Sequence, residues 1–332
     1  MTVVVPGIYL LQTNIPNSPL GHINSYLVQG DNGYLLVDTG WNSEEAFKSL
    51  TGQLAEIGVN FADIRQIVIT HVHPDHYGLV GRLGEVSSAR ISLHPLEREI
   101  IAFRHLRMDE YLRQTQQWLR VNGVPPELIS IMQPTPAEGR RLLAPALPDI
   151  SVLQDGETIS TGIFEFKVVW TPGHSPGHIC LYEPGHKILL SGDHVIPGIT
   201  PNISLSSPSG ANPLGDFFSS LNKVKALDVN LVLPGHAQPL NDLPAAIEVV
   251  FHHHDFRIGQ IVKSLSSHQK TAYEVSTELT WMLDEGGTTF DNLAPRNKSM
   301  AIMEALAHLE ALRIDGRANK CTMDSTVYYY LA

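Results

Sequence analysis

Only two cysteines, Cys180 and Cys321, occur in 332 residues. That is too few for a disulfide framework, and neither belongs to a spacing that binds zinc through sulfur. No apolar run approaches the ~20 residues that a membrane helix needs, so no membrane partner is expected. The start, Met1-Thr2-Val3-Val4-Val5-Pro6-Gly7, lacks the basic and cleavable pattern of a secretion signal. A cytoplasmic location is the resulting expectation. Basic residues are outnumbered, with 23 Lys and Arg against 34 Asp and Glu and a net charge of -11. Binding to phosphate backbones relies on Lys and Arg, so nucleic acid is an unexpected partner, although a local basic groove is compatible with the count. Neither cysteine lies in a recognisable catalytic setting, which leaves a covalent cysteine route without support. A hydrophobic content of 43% is enough for a sizeable core, and the length suits one large domain plus a small one.

What the chain does have is histidine in the company of aspartate. His71-Val72-His73-Pro74-Asp75-His76 puts four metal-ligand side chains in six residues, directly after the β-rich run Gln66-Ile67-Val68-Ile69-Thr70. Imidazole and carboxylate suit zinc and similar first-row ions. Alternate residues of an extended segment share a side, so His71 and His73 point one way. The turn after Pro74 can carry Asp75 and His76 towards a second point. Further candidates sit in glycine-containing turns: His174 in Thr171-Pro172-Gly173-His174, Asp193 in Ser191-Gly192-Asp193, and His236 in Leu233-Pro234-Gly235-His236. Alone, each would be an ordinary turn residue. Together, seven donors suffice for two ions if one carboxylate bridges.

This order of ligands resembles the metallo-β-lactamase superfamily, whose HxHxDH motif falls on His71, His73, Asp75 and His76. The resemblance implies that His71, His73 and His174 hold one ion and Asp75, His76 and His236 the other, with Asp193 bridging. It implies that Asp38, in Leu35-Leu36-Val37-Asp38-Thr39-Gly40, orients a ligand from behind. Two divalent cations are implied, zinc first, with iron or manganese as substitutes. They would lower the pKa of a bridging water to hydroxide and polarise the bond under attack. Asp75, or a metal-bound water, is the candidate proton carrier. The expected function is hydrolysis of a small molecule: a thioester, lactone or other ester with an apolar portion. The alternatives are an endoribonuclease or phosphodiesterase and a non-catalytic metal-binding scaffold.

The resemblance also implies an αββα sandwich over residues 1-248, where pattern alone supports a layered α/β domain. Short strands are predicted at 8-12, 22-29, 33-38, 67-70, 89-93, 164-170, 178-182, 187-191 and 231-233. Helices are predicted at 43-57, capped by Ser43, at 76-83 and at 217-227. A helical insertion, about 96-148, is read as one long helix over 96-121 and another over 127-132, able to overhang the site. The tail, 249-332, carries helical patterns at 257-265, 271-283 and 297-312 and a strand at 326-331. That looks like a winged helix, with a net charge of -2 over 251-332. His252, His253 and His254 read as a partly exposed helix start, Tyr77 as a core residue, and His178 and His194 as either packing or substrate contacts. The insertion or the tail could serve a homodimer.

Overall fold

The computed structural model describes residues 1–135, 139, 149–206, 209–282 and 286–332. The parts of the expected insertion at 136–138 and 140–148, and the end of the expected 271–283 helix at Leu283, lie outside them. Strict alternation along Leu35-Leu36-Val37 explains the layering. Leu35 and Val37 face one apolar cluster while Leu36 faces another, as period-two side chains must.

One sheet has seven strands in sequence order: β1 (Thr2–Val5), β2 (Ile8–Asn14), β3 (His22–Gly30), β4 (Gly33–Val37), β5 (Ile64–Val68), β6 (Arg90–Leu93) and β7 (Ile150–Val152). Strands β4 to β7 run parallel. The second sheet has five strands, β8 (Thr158–Ser160), β9 (Glu165–Trp170), β10 (Ile179–Glu183), β11 (Ile188–Gly192) and β12 (Leu231–Pro234), with β11 and β12 parallel. Between the sheets lie Ile8, Leu10, Tyr26 and Val68 against Phe166, Val168, Leu181 and Leu190. Helix α1 (Glu44–Ile57) covers the outer face of the first sheet through Ala46, Leu50 and Leu54. Ser43 caps it, its side chain accepting from the Ala46 N–H at 3.1 Å.

The expected helix after the metal loop is two pieces, α2 (Pro74–Tyr77) and α3 (Val80–Val86), with Tyr77 buried as expected. The helical stretch after β6 is likewise broken, into α4 (Pro95–Leu106) and α5 (Met108–Val121), because Arg107 leaves helical geometry at φ -136° and ψ 40°. Helix α6 (Pro126–Met132) follows. Helix α7 (Pro213–Lys225) begins four residues before the expected Phe217 start, capped by Asn212. It covers the second sheet's outer face together with the first turns of α8 (Leu243–Leu265).

Helix α8 runs without interruption past residue 248 into the tail. His252 to His254 are therefore mid-helix rather than at a helix start, and His254 is buried. The expected 271–283 helix is shorter, α9 (Ala272–Glu278), because Leu279 is extended and Thr280–Trp281 form strand β13 against β14 (Thr288–Thr289). Helix α10 (Pro295–Ile314) and the hairpin β15 (Ala318–Met323) with β16 (Thr326–Leu331) complete the chain. Tail and insertion share one core, in which Leu119, Val124 and Ile129 pack with Ile261, Val275, Ile302 and Leu306. Among the described residues, no helix is long and apolar enough to cross a membrane.

Candidate metal centre

Every candidate ligand follows the end of a strand. The loop carrying His71, His73, Asp75 and His76 follows β5, His174 follows β9, Asp193 follows β11 and His236 follows β12. Loops at the carboxyl ends of strands on a rigid sheet are where an α/β fold presents chemistry. Here the loops bring all seven residues into two adjoining clusters.

In the first cluster, ligand atoms of His71, His73, His174 and Asp193 all lie within 4.8 Å of one another. His73 Nδ1 is 2.9 Å from His71 Nε2 and 3.0 Å from His174 Nε2. Asp193 Oδ2 lies 3.5 Å from His174 Nε2 and 3.9 Å from His71 Nε2. The second cluster is Asp75, His76 and His236. His236 Nε2 lies 3.4 Å from Asp75 Oδ2 and 3.5 Å from Asp193 Oδ1, and His76 Nε2 lies 3.3 Å from Asp193 Oδ1. The two oxygens of Asp193 thus face different clusters.

The outward nitrogens are held in ways that aim lone pairs inward. His174 Nδ1 donates to the Asn202 carbonyl at 3.0 Å and His236 Nδ1 to the His22 carbonyl at 2.8 Å. His76 Nδ1 donates to Asp38 Oδ2 at 2.8 Å. Asp38 also accepts from the Thr70 N–H at 2.8 Å and the Thr70 hydroxyl at 2.9 Å. With its one proton so committed, Thr70 Oγ1 accepts from His71 Nδ1–H at 3.1 Å. One carboxylate therefore sets the tautomer of a histidine in each cluster, the job of a group behind the ligands. Asp38 does this at φ +59°, a left-handed conformation that Asp tolerates better than most residues.

Electrostatics divides the clusters. Burial above all pushes His71, His73 and His174 below the usual imidazole range, with neighbouring histidines adding to it for His71 and His73. These three are neutral donors, the form that binds a metal. Burial also opposes charge on His76 and His236, but the Asp193 carboxylate outweighs it, helped by Asp38 at His76 and by Asp75 at His236, which is pushed up to about 10. Asp75 is held down at about 2; burial works against this, but the close approach of the His236 imidazole and the His76 charge prevail. Carboxylates that draw positive charge so strongly suit a divalent ion. Geometry agrees: His76 Nε2, His236 Nε2 and Asp193 Oδ1 are buried, converge on one point and lack any hydrogen-bond partner among the described residues. Buried polar atoms are rarely left so, and a cation between them would satisfy all three. The approach is close, since a Cβ on Gly235 would come 2.5 Å from Asp193 Oδ1 and 2.8 Å from His76 Cε1.

Several supporting residues escape a reading by motif. Glu97, fully buried on α4, accepts from Val72 N–H at 2.8 Å, Gly177 N–H at 2.7 Å and the Ser175 hydroxyl. It ties the His71–His73 strand end to the His174 loop, and no short pattern marks it. His178 is packing rather than cleft: its Nδ1 meets Thr171 Oγ1 at 2.8 Å and its Nε2 accepts from Asp193 N–H at 3.1 Å. His194 is buried edge-on against Phe217, with ring centroids 5.2 Å apart.

A cleft of about 210 Å³ opens beside the first cluster, with His73 and His174 in its wall. Helices α4 and α5 form one side, and Ser299, Met300 and Met303 of α10 another. A chain of contacts joins that helix to the ligands. The Asn202 side chain donates to Glu304 Oε2 at 2.7 Å, and Glu304 Oε1 pairs with Arg257 Nε at 3.3 Å.

Comparison with known proteins agrees with this architecture. The family model described as the metallo-β-lactamase superfamily matches residues 18–236. A probable metallo-hydrolase of Bacillus subtilis is 28% identical over 322 residues, covering 93% of each chain. An acyl-coenzyme A thioesterase of Bos taurus is 31% identical over 244 residues, covering 69% of this chain and 78% of that one. A metallo-β-lactamase family protein of Thermus thermophilus superposes with a TM-score of 0.84 at 30% identity, covering 99% of this chain and 100% of that one. The chain belongs to the metallo-β-lactamase superfamily and is a metal-dependent hydrolase.

Proposed function

We propose that this hydrolase uses two divalent ions, zinc in the first instance, to cleave a small thioester, lactone or related ester that has an apolar portion. The observation that carries this reading is Asp193, whose two oxygens each face one donor cluster. His71, His73 and His174 would hold one ion, Asp75, His76 and His236 the other, and Asp193 both. Bound there, such ions supply a water ionised near neutral pH and a Lewis acid for the substrate oxygen.

The remaining work belongs to the protein. Asp38 fixes two imidazoles, Glu97 fixes the spacing of two ligand loops, and burial excludes bulk water from the donors. Asp75, at 14% side-chain exposure, is the least buried carboxylate of the set and the candidate for passing a proton towards the leaving group. The apolar part of the substrate would lie on Ile100, Trp118, Met300 and Met303 in the adjoining cleft. The likeness to an acyl-coenzyme A thioesterase supports a thioester. On this reading residues 1–248 form the catalytic unit and 249–332 a winged-helix-like unit that walls the cleft through α10.

The test is side-by-side hydrolysis by metal-quantified protein. Acyl thioesters and lactones form one set, single-stranded RNA and a simple phosphodiester the other, each with wild type and His71→Ala. Turnover of the carbonyl set by wild type alone is the expected result. Turnover of RNA alone would overturn it.

A further inference from the structure

Arg104 sits in the wall of the cleft beside His73 and His174. It is the one permanently charged side chain lining that cleft among the described residues. Its Nε is buried without a hydrogen-bond partner, and its guanidinium enters no ion pair among the described residues. The cation instead lies over the Tyr111 ring, 5.3 Å from the centroid, which holds its plane while leaving its N–H groups unspent. It is near enough to act electrostatically on both His73 and Glu97. Glu97 makes no direct ion pair with it; that carboxylate accepts instead from two backbone N–H groups and the Ser175 hydroxyl.

A buried guanidinium edge without a partner is costly in a folded chain, and a fork of N–H donors matches a carboxylate or phosphate. Serine hydroxyls along the same cleft, and an apolar floor of Ile100, Trp118 and Met303, suit an occupant with an anionic group and an apolar body. The position also selects which anion. In a coenzyme A ester the phosphates lie a whole pantetheine arm away from the thioester, whereas Arg104 shares the cleft with the ligands of the first cluster.

We propose that Arg104 binds an anionic group on the acyl side of the substrate, a carboxylate or phosphate a few bonds from the scissile carbonyl. The preferred substrates are then acidic acyl esters or thioesters rather than plain fatty ones. This rests on the hydrolase reading above, and it makes Arg104 a specificity determinant rather than a part of the bond-breaking machinery.

The experiment compares wild type, Arg104→Gln and Arg104→Lys on matched N-acetylcysteamine thioesters: butyryl, succinyl and a phosphono-acyl analogue. Wild type should favour an anionic ester. Arg104→Gln should lose about 10- to 100-fold in kcat/KM on that ester, chiefly through KM, and far less on butyryl. Arg104→Lys should recover part of the loss, since the charge survives without the fork. Whether succinyl or the phosphono ester responds more identifies the anion. Equal losses on neutral and anionic esters would overturn the proposal. So would a loss seen only with butyryl-coenzyme A, which would place the anion on the carrier. Calorimetric titration of glutarate and inorganic phosphate into wild type and Arg104→Gln gives a readout independent of turnover. Weaker binding of either anion by the variant upholds the subsite even if no thioester is cleaved, in which case only the hydrolytic reading falls. Equal binding of both anions would overturn the subsite.

Discussion

Asp38 concentrates an unusual share of the site in one side chain. It accepts three hydrogen bonds, from Thr70 N–H, the Thr70 hydroxyl and His76 Nδ1, and through Thr70 it also reaches His71. Asn is the informative replacement, because it tolerates the same left-handed backbone. Its amide nitrogen cannot accept, so one of these donors would meet another donor. We expect Asp38→Asn to retain the fold and to bind zinc about 10- to 100-fold more weakly at both clusters. Competition with a chromophoric chelator at two equivalents of metal measures this. A loss confined to the cluster holding His76 would disprove the link through Thr70.

The same scale shows why some of the site is legible in sequence and some is not. His71, His73, Asp75 and His76 are recognisable because one loop presents several candidate ligands within a few residues. Asp193 and His236 are recognisable because their turns need glycine, Gly235 for close approach to Asp193 itself. Glu97, Arg104 and Asn202 follow no such local constraint. Their roles arise when segments far apart in the chain pack together.

At the scale of elements, α10 holds the most consequential contact. Glu304 is buried, pairs with buried Arg257 of α8, and accepts from Asn202, whose carbonyl receives His174 Nδ1–H. Arg257 also lies 4.2 Å from the Trp281 ring centroid and donates to the Thr280 carbonyl at 2.5 Å. Removing one partner of a buried pair leaves the other charge uncompensated, which costs ~3–5 kcal/mol. Glu304→Ala should therefore lower unfolding stability in urea by about that amount. It should also loosen metal at His174's cluster, as Asn202 loses its tether. Glu304→Gln, which keeps an acceptor for Asn202, should recover metal affinity more than stability. Unchanged metal affinity in Glu304→Ala would break the proposed path from tail to ligand. The element breaks at Arg107 and Leu279 had no counterpart in the hydrophobic pattern, since apolar spacing continues across them while the backbone turns.

For the whole molecule, stability should depend on acid through a buried histidine pair outside the candidate ligand set. His254 Nδ1 meets His308 Nε2 at 3.0 Å, and His308 Nδ1 donates to the Glu304 carbonyl at 2.8 Å. Burial first, then the charges of Arg257 and His253, hold His308 down at about 3, and burial first, then His308 and His253, hold His254 well below its ordinary range. An unfolded chain takes up these protons as pH falls through 6.5 and the native one does not. Stability is then complete above pH 6.5 and is lost as pH drops towards about 3, at up to ~1.4 kcal/mol per pH unit for each site. Urea midpoints of wild type and His308→Gln between pH 7 and roughly 4.5 test this. The variant should show the shallower decline, and parallel curves would rule out the pair as the source.

The walls of the cleft come from three distant stretches, and the order in which they are synthesised has a consequence. All seven candidate ligands, up to His236, precede Ser299, Met300 and Met303 of the last wall. A nascent chain therefore holds every candidate donor well before it holds the last wall of the cleft. The set of candidate donors and the closed cleft are completed at different moments in the life of the same molecule.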